Sequence, residues 1–266
     1  MRGRVSGGPD TIAFTGGGTG GHIYPGLAAA ARLREILSAR GRTARFVWIG
    51  SRKDSDRETV EAAGLEFIPI PSGKLRRELS LKNLADAFRV LAGYTASRRI
   101  LAELRPRLLF SKGGYVSVPP CRAAAALGIP VFTHESDFSP GLATRLNASV
   151  AETVFVSYEE TREAFPAARR SSVVVSGQPV RAAVRLGDAA RGRSWAGLPK
   201  GEPLILVIGG SQGARRLNEL VAAALPGLLR SAWVVHQTGP GNPGAPRESI
   251  PDRKSTRLNS SHGKLS

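Results

Sequence analysis

The sequence predicts an α/β fold, a parallel sheet flanked by helices, begun twice along the chain. Three observations carry this. Short apolar runs alternate with helical stretches, the pattern that builds a parallel sheet. The first run, Thr11–Phe14, ends in the glycine loop Gly16–Gly21 and leads into a helix. A second, Pro203–Ile208, ends in the loop Gly209–Gly213 and leads into another helix, from about Ala214 to Leu229. TIAFTGGGTGGHIYPGLAAAARL and LILVIGGSQGARRLNELVAAAL thus share one order of strand, glycine loop and helix. They read as the openings of two Rossmann-like domains.

The elements follow in order. Residues 1–10 are polar, lack the apolar core of a signal peptide and are expected to be disordered. After the strand Thr11–Phe14, a helix runs from about Pro25, with Pro suited to a first turn and Leu27, Ala28, Leu33 and Leu37 as its apolar positions. Further strands are expected at Ala44–Ile49, Glu66–Ile70, Leu108–Ser111, Pro130–His134 and Thr153–Val156. Helical segments fall near Glu58–Ala63, Leu81–Leu104, Pro119–Leu127 and Gly141–Val150. Together these form a first domain over 11–181. Residues 182–201 read as a linker and 202–251 as the start of a second domain. That start has room for two strands, which would leave an apolar face uncovered. The final segment, 252–266, reads differently: Asp252–His262 is DRKSTRLNSSH, which matches one reading frame of a common sequencing adapter. A non-native tail on a gene that continues further is the expectation, with the second domain incomplete in this chain.

Composition narrows the class. The chain has 266 residues, 41% hydrophobic and 22% charged, as in ordinary globular proteins. No window reaches the 18 apolar residues of a membrane span. The lone Cys121 lies in an Ala-rich segment, where packing is its expected role. A cytoplasmic protein is the default. The net charge of +17 calls for an acidic partner: nucleic acid, an anionic membrane surface or a phosphate-rich substrate. No basic-aromatic motif supports nucleic acid, so none is expected as a partner.

The glycine loops are the chemical signal. Glycine lets backbone N–H groups approach phosphate, and a helix N-terminus adds partial positive charge. Gly16, Gly18 and Gly21 satisfy the dinucleotide fingerprint. However, the second strand ends Gly50-Ser51-Arg52, without the acidic residue that holds an NAD ribose. Arg52 suits a 2′-phosphate, which keeps an NADP enzyme as a rival. No Lys-Ser/Thr follows the loop, so it is not a P-loop. A third glycine pair, Gly113-Gly114, precedes Tyr115 at the end of another strand. Three such loops point to an enzyme handling two phosphorylated substrates; a tight turn alone is the bland reading. Asp54-Ser55-Asp56 resembles a metal-binding DxD, but it opens a helix, where capping is the better reading. No other cluster has metal-ligand spacing, so neither metal nor cofactor is expected. His134 in an apolar run reads as structural, and His236 as a strand end. Basic Lys74-Leu75-Arg76-Arg77 and Arg98-Arg99 flank a helix whose Leu81, Leu84, Phe88, Leu91 and Tyr94 are spaced as one stripe. That helix is either core-facing with a solvated basic face or a contact for anionic lipid.

GGTGGHIYPGLAAA (Gly17–Ala30), GGYVSVP (Gly113–Pro119), HESDFSPGL (His134–Leu142), GQPVR (Gly177–Arg181) and GGSQGAR (Gly209–Arg215) resemble, in order, the motifs of MurG-type glycosyltransferases. The resemblance spans roughly residues 11–240. It implies a GT-B fold and inverting transfer of GlcNAc from UDP-GlcNAc to the 4-hydroxyl of MurNAc in lipid I, giving lipid II. It also implies a peripheral enzyme on the cytoplasmic face of the bacterial inner membrane. By the resemblance, Thr19, Gly20 and Gly21 occupy the donor-contacting part of the first loop, and Tyr115 and Glu135 are cleft residues. Arg181, Ser211 and Gln212 are donor-site positions. His22, Glu135 and Asp137 are the candidates for the general base. His22 is equally readable as a phosphate ligand and Glu135 as an orienting group. Asp137 replaces the family's sugar-contacting Asn and is also assigned to substrate. Family members bind uracil and ribose largely through later segments, so this chain alone is expected to show little turnover. The rivals are another GT-B UDP-sugar:lipid transferase and a non-catalytic anion- or lipid-binding half-enzyme.

Overall fold

The computed structural model describes residues 10–73, 81–210, 213–240, 242 and 255–258. They divide into two compact units, up to Arg185 and from Leu186 onward.

The first unit is built on seven parallel strands: β1 (Asp10–Thr15), β2 (Ala44–Gly50), β3 (Glu66–Pro69), β4 (Leu109–Ser111), β5 (Val131–Glu135), β6 (Thr153–Val156) and β7 (Val173–Val175). Their order is β3-β2-β1-β4-β5-β6-β7. Helices α1 (Gly20–Ala39), α2 (Asp54–Ala62), α3 (Leu81–Leu104), α4 (Val118–Ala126), α5 (Leu142–Ala148), α6 (Ala167–Arg170) and α7 (Ala182–Arg185) connect them or follow the last. A sheet covered on both faces needs strands that are apolar on both, and β1 and β2 meet this. Ile12, Phe14, Phe46 and Trp48 form one core with Ile23, Leu27 and Ala30 of α1 and Val60 of α2. Ala13 and Ile49 enter the other core, with Leu101, Leu109, Cys121 and Val131. Phe14 stacks on Trp48 with ring centroids 6.1 Å apart. Each large side chain so buried contributes roughly 1.5–3 kcal/mol.

The strand order reverses its winding between β1 and β4, the switch point where open α/β sheets bind ligands. Thr15 pairs with Ser111 there, so the two glycine loops leave the sheet side by side.

Several elements differ from expectation. Helix α1 starts at Gly20, not near Pro25, which lies buried inside it. Proline there removes one helical hydrogen bond without stopping the helix. Helix α2 starts at Asp54 rather than Glu58. Strand β7, only three residues long, was not expected. On α3, Phe88 and Leu91 are exposed, while Tyr94 packs on the core; the expected stripe therefore does not face one way. Lys74–Arg77 lie outside the described residues.

The second unit holds α8 (Ala189–Trp195), β8 (Leu204–Ile208), α9 (Arg215–Leu228), β9 (Trp233–Gln237) and β10 (Ser255–Leu258). The strands are parallel in the order β10-β9-β8. Asp188 caps α8 by accepting from the Arg191 N–H at 2.7 Å, so the segment expected as linker contains helix. Strand β10 falls within 252–266, the segment read as a non-native tail, and gives this unit a third strand. On β8, Ile205 packs with Leu225, Leu229 and Val234, whereas Leu206 and Ile208 are 58% and 59% exposed.

Candidate active site

The first glycine loop is anchored from below. The Trp48 indole N–H, buried in the core, donates to the Gly16 carbonyl at 3.1 Å. Helix α1 then begins with Thr19 as N-cap. Thr19 makes no side-chain capping bond, and no acidic residue lies in the first turn. The His22 N–H turns back to the Thr19 carbonyl at 3.1 Å, while the Thr19 side chain caps none of the first-turn N–H groups, and an uncapped helix start of this kind can receive an anion.

The second loop, from β4, is braced by buried hydroxyls and an amide. The Gly113 N–H donates to Ser111 Oγ at 3.1 Å, and Asn147 Nδ2 donates to Ser111 Oγ at 3.1 Å and Ser117 Oγ at 2.8 Å. A 3-10 turn, Tyr115–Ser117, then feeds α4. The two loops touch. Gly114 has φ +79°, and a Cβ there would lie 2.7 Å from the Gly17 carbonyl oxygen and 2.9 Å from His22 Cδ2. Only glycine permits that approach. Tyr115 lies against Gly18, whose Cβ would meet its ring at 2.8 Å.

His22, in the first turn of α1, faces this junction. Its Nδ1 is buried without a hydrogen-bond partner. Burial, and then the Lys112 ammonium, hold its pKa below the ordinary histidine value, against the opposing charges of Glu135 and Asp137. The charged form of the ring is thus disfavoured relative to a free histidine. Lys112 is 2% exposed, and burial lowers its own pKa while the charges of Glu135 and Asp137 oppose that shift.

Glu135, at the end of β5, is buried with both oxygens in use. Oε1 accepts from the Asp137 N–H at 3.0 Å and Oε2 from the Gly141 N–H at 3.1 Å. Burial pushes its pKa up, but these N–H groups, the Thr144 hydroxyl and the Lys112 charge outweigh it and hold the carboxyl below its usual value. Such a carboxylate holds a loop better than it accepts a proton. The loop it holds carries Asp137, which is exposed. His134 Nε2 lies 3.0 Å from the Gly177 carbonyl, and burial brings its pKa down to about 4; it ties β5 to the segment after β7. Arg181 sits 4.6 Å over the Tyr24 ring, two residues along α1 from His22.

The structure thus gathers Thr19, Gly20, Gly21, His22, Tyr115 and Glu135 at the switch point of one unit, with Asp137 and Arg181 at its margin. Ser211 and Gln212 belong to the second unit and lie outside the described residues. There α9 also starts without a side-chain cap, and Asn218 Nδ2 donates to the Thr238 carbonyl at 2.9 Å. Among the described residues no three His, Cys, Asp or Glu side chains form a metal-binding group. Asp54-Ser55-Asp56 does not cap α2: its N-cap is Lys53, without a side-chain bond. Asp56 instead reaches the first glycine loop, accepting from the Gly18 N–H at 3.1 Å. Asp56 and Lys112 are site residues that sequence reasoning missed. The acidic pair at 54–56 was visible, but its partner lies far off in the chain.

A parallel sheet with glycine loops and helix starts at its switch point, followed by the opening of a second such sheet, defines a GT-B glycosyltransferase fold. Residues 12–156 match the N-terminal domain of glycosyltransferase family 28 and residues 204–257 its C-terminal domain, and the chain belongs to that family. It is 50% identical over 239 residues to the UDP-N-acetylglucosamine--N-acetylmuramyl-(pentapeptide) pyrophosphoryl-undecaprenol N-acetylglucosamine transferase of Treponema denticola, covering 87% of this chain and 60% of that protein. The protein of the same name from Staphylococcus carnosus is 40% identical over 232 residues, covering 86% and 62%. The chain thus spans about 60% of the length of these relatives. Among solved structures, Acinetobacter baumannii MurG aligns with TM-score 0.63 at 24% identity, covering 94% of this chain and 67% of that one. A UDP-GlcNAc 2-epimerase from Neisseria meningitidis bound to UDP-GlcNAc aligns with TM-score 0.59 at 13% identity, covering 94% and 72%. Fold alone therefore does not choose between transferase and epimerase.

Proposed function

We propose that the protein is an inverting transferase that moves GlcNAc from UDP-GlcNAc to the MurNAc 4-hydroxyl of lipid I, forming lipid II. One observation carries the site chemistry: two glycine loops from adjacent strands converge on the ring of His22. The activity for which the relatives are named supplies the substrates.

In the proposed step the acceptor hydroxyl oxygen bonds to the anomeric carbon as the bond from that carbon to UDP breaks on the opposite face. The bonding pair leaves with the β-phosphate, and the hydroxyl proton passes to His22. An imidazole whose charged form is disfavoured holds a lone pair free to accept that proton. Glu135 positions the loop that brings Asp137 to the sugar, and Tyr115 borders the same opening. Thr19, Gly20 and Gly21 offer N–H groups to phosphate. Arg181 of the first unit is assigned to the donor, and so are Ser211 and Gln212, which lie outside the described residues; fixed dipoles at a diphosphate stabilise the departing charge.

The acceptor's polyprenyl chain stays in a membrane, so the proposed enzyme works at the cytoplasmic surface as a peripheral protein. No helix among the described residues is long and apolar enough to cross a membrane. Helix α3 offers exposed Phe88 and Leu91 with exposed Arg98 and Arg99 nearby, a combination suited to anionic lipid.

The reaction is tested in a chimera in which residues 10–240 replace the matching segment of the Treponema denticola relative. Given UDP-GlcNAc and a lipid I analogue, it is expected to form the disaccharide lipid with release of UDP. Conversion of UDP-GlcNAc to its 2-epimer, or no product with an intact fold, would reject the proposal.

A further inference from the structure

We propose that Asp56 is a positioning residue: from α2 it fixes the first glycine loop in the shape that presents the α1 N–H groups to an anion. This rests on the reading of that loop as a phosphate cradle. The Gly18 peptide is gripped on both sides. Its N–H donates to Asp56 Oδ2 at 3.1 Å, and its carbonyl accepts from Lys53 Nζ at 3.0 Å. The Ser51 hydroxyl donates to the same Asp56 oxygen at 2.7 Å, which fixes the carboxylate. Asp56 and Ser51 are 5% and 2% exposed, so the bond between them is buried and the one to the Gly18 N–H partly so, while the Lys53 contact is exposed. Packing adds to the grip. A Cβ on Gly17 would lie 2.9 Å from Asp56 Oδ2, and the Tyr115 ring closes on Gly18.

The need for such a clamp follows from the loop's composition. Gly16-Gly17-Gly18 is the most freely rotating backbone a chain can have, and Gly18 adopts φ +90°, one of many conformations open to it. Thr19 contributes no capping bond. The Asp56 carboxylate makes no bond within its own helix's first turn and instead holds a backbone 38 residues away.

The position gives a test in which two roles predict opposite signs. A carboxylate beside an anion site repels the anion, so by charge alone its removal strengthens binding. If it holds the loop, its removal weakens binding. The probe is inorganic diphosphate, titrated by calorimetry into the 266-residue chain, with amide exchange measured in parallel. Asp56→Ala is expected to weaken diphosphate binding at least tenfold and to speed exchange at the Gly17–Gly21 amides at least tenfold, leaving β1 unchanged. Asp56→Asn keeps an oxygen acceptor without the charge and is expected to bind at least as tightly as the parent, with the loop still protected. Equal or tighter binding by Asp56→Ala, or unaltered loop exchange, overturns the proposal. If Asp56→Ala does not fold, Ser51→Ala, which frees the carboxylate of its hydroxyl donor, must show the same two changes in weaker form. If the parent chain binds no diphosphate, the phosphate-cradle reading fails by itself, and the exchange data still decide whether Asp56 holds the loop.

Discussion

Two buried neighbours set the protonation of His22: the surrounding protein, which penalises the charged ring, and Lys112, which repels it. Because the pKa is lowered, the ring stays neutral as pH falls past the ordinary histidine value and takes up a proton only further down. A rate that needs neutral His22 therefore falls on the acid side below about 6.5. Lys112→Met removes the second of the two causes, so the His22 midpoint is expected to move up, with burial still holding it somewhat low. Titration of the ring nitrogens by NMR reads this directly; an unmoved midpoint contradicts the role given to Lys112. None of this was legible in the sequence. Lysine is almost never fully buried, so Lys112 passes for a surface residue beside two glycines. His22 and Glu135 were legible as residues of interest, but not their division of labour. The carboxylate's two N–H partners at Asp137 and Gly141 belong to a loop whose shape no spacing rule gives.

At the scale of elements, the glycine loops are where composition dictates structure most tightly. Gly114→Ala would set a methyl group against the Gly17 carbonyl and the His22 ring at a left-handed backbone position. At φ +79° and ψ 156° a side chain alone costs roughly 1–3 kcal/mol, and the contacts add to it. A lower melting temperature and loss of diphosphate binding are expected, measured by calorimetry; an unchanged variant would show that the two loops do not touch. For α3, the exposed Phe88 and Leu91 with Arg98 and Arg99 lead to a lipid test. At about 1 kcal/mol per basic residue near an anionic surface, Arg98→Glu with Arg99→Glu is expected to weaken binding to phosphatidylglycerol vesicles at least tenfold at low salt. Equal binding would remove α3 from the membrane contact. The strands β1, β2, β4, β5 and β6 were legible because buried parallel strands are continuous apolar runs. Strand β7, the three-residue run Val173–Val175, was not: it follows the four-residue helix α6, without the long helical pattern that set off the other strands. On α3, periodicity identified residues that share spacing but not which of them meets the core.

At the scale of the whole molecule, the repeated order of strand, glycine loop and helix announced two units of one architecture. Within 252–266, the segment read as a non-native tail, Ser255–Leu258 pairs with β9 despite its polar composition, because parallel pairing needs backbone groups rather than apolar side chains. The exposed Leu206 and Ile208 on β8 show the other side of this, an apolar strand whose second face is uncovered. The fold itself serves epimerases as well as transferases, so function rests on the site.

In the proposed reaction the two loops of the first unit deliver an acceptor hydroxyl to His22. The most direct measurement is GlcNAc transfer by the chimera with and without His22→Ala, at pH 7.5 and saturating UDP-GlcNAc. Loss of a general base predicts a fall in kcat of roughly 10²–10⁴-fold, with little change in lipid I binding. Turnover by His22→Ala within a few-fold of the parent would contradict the claim and move the search for the base to Asp137.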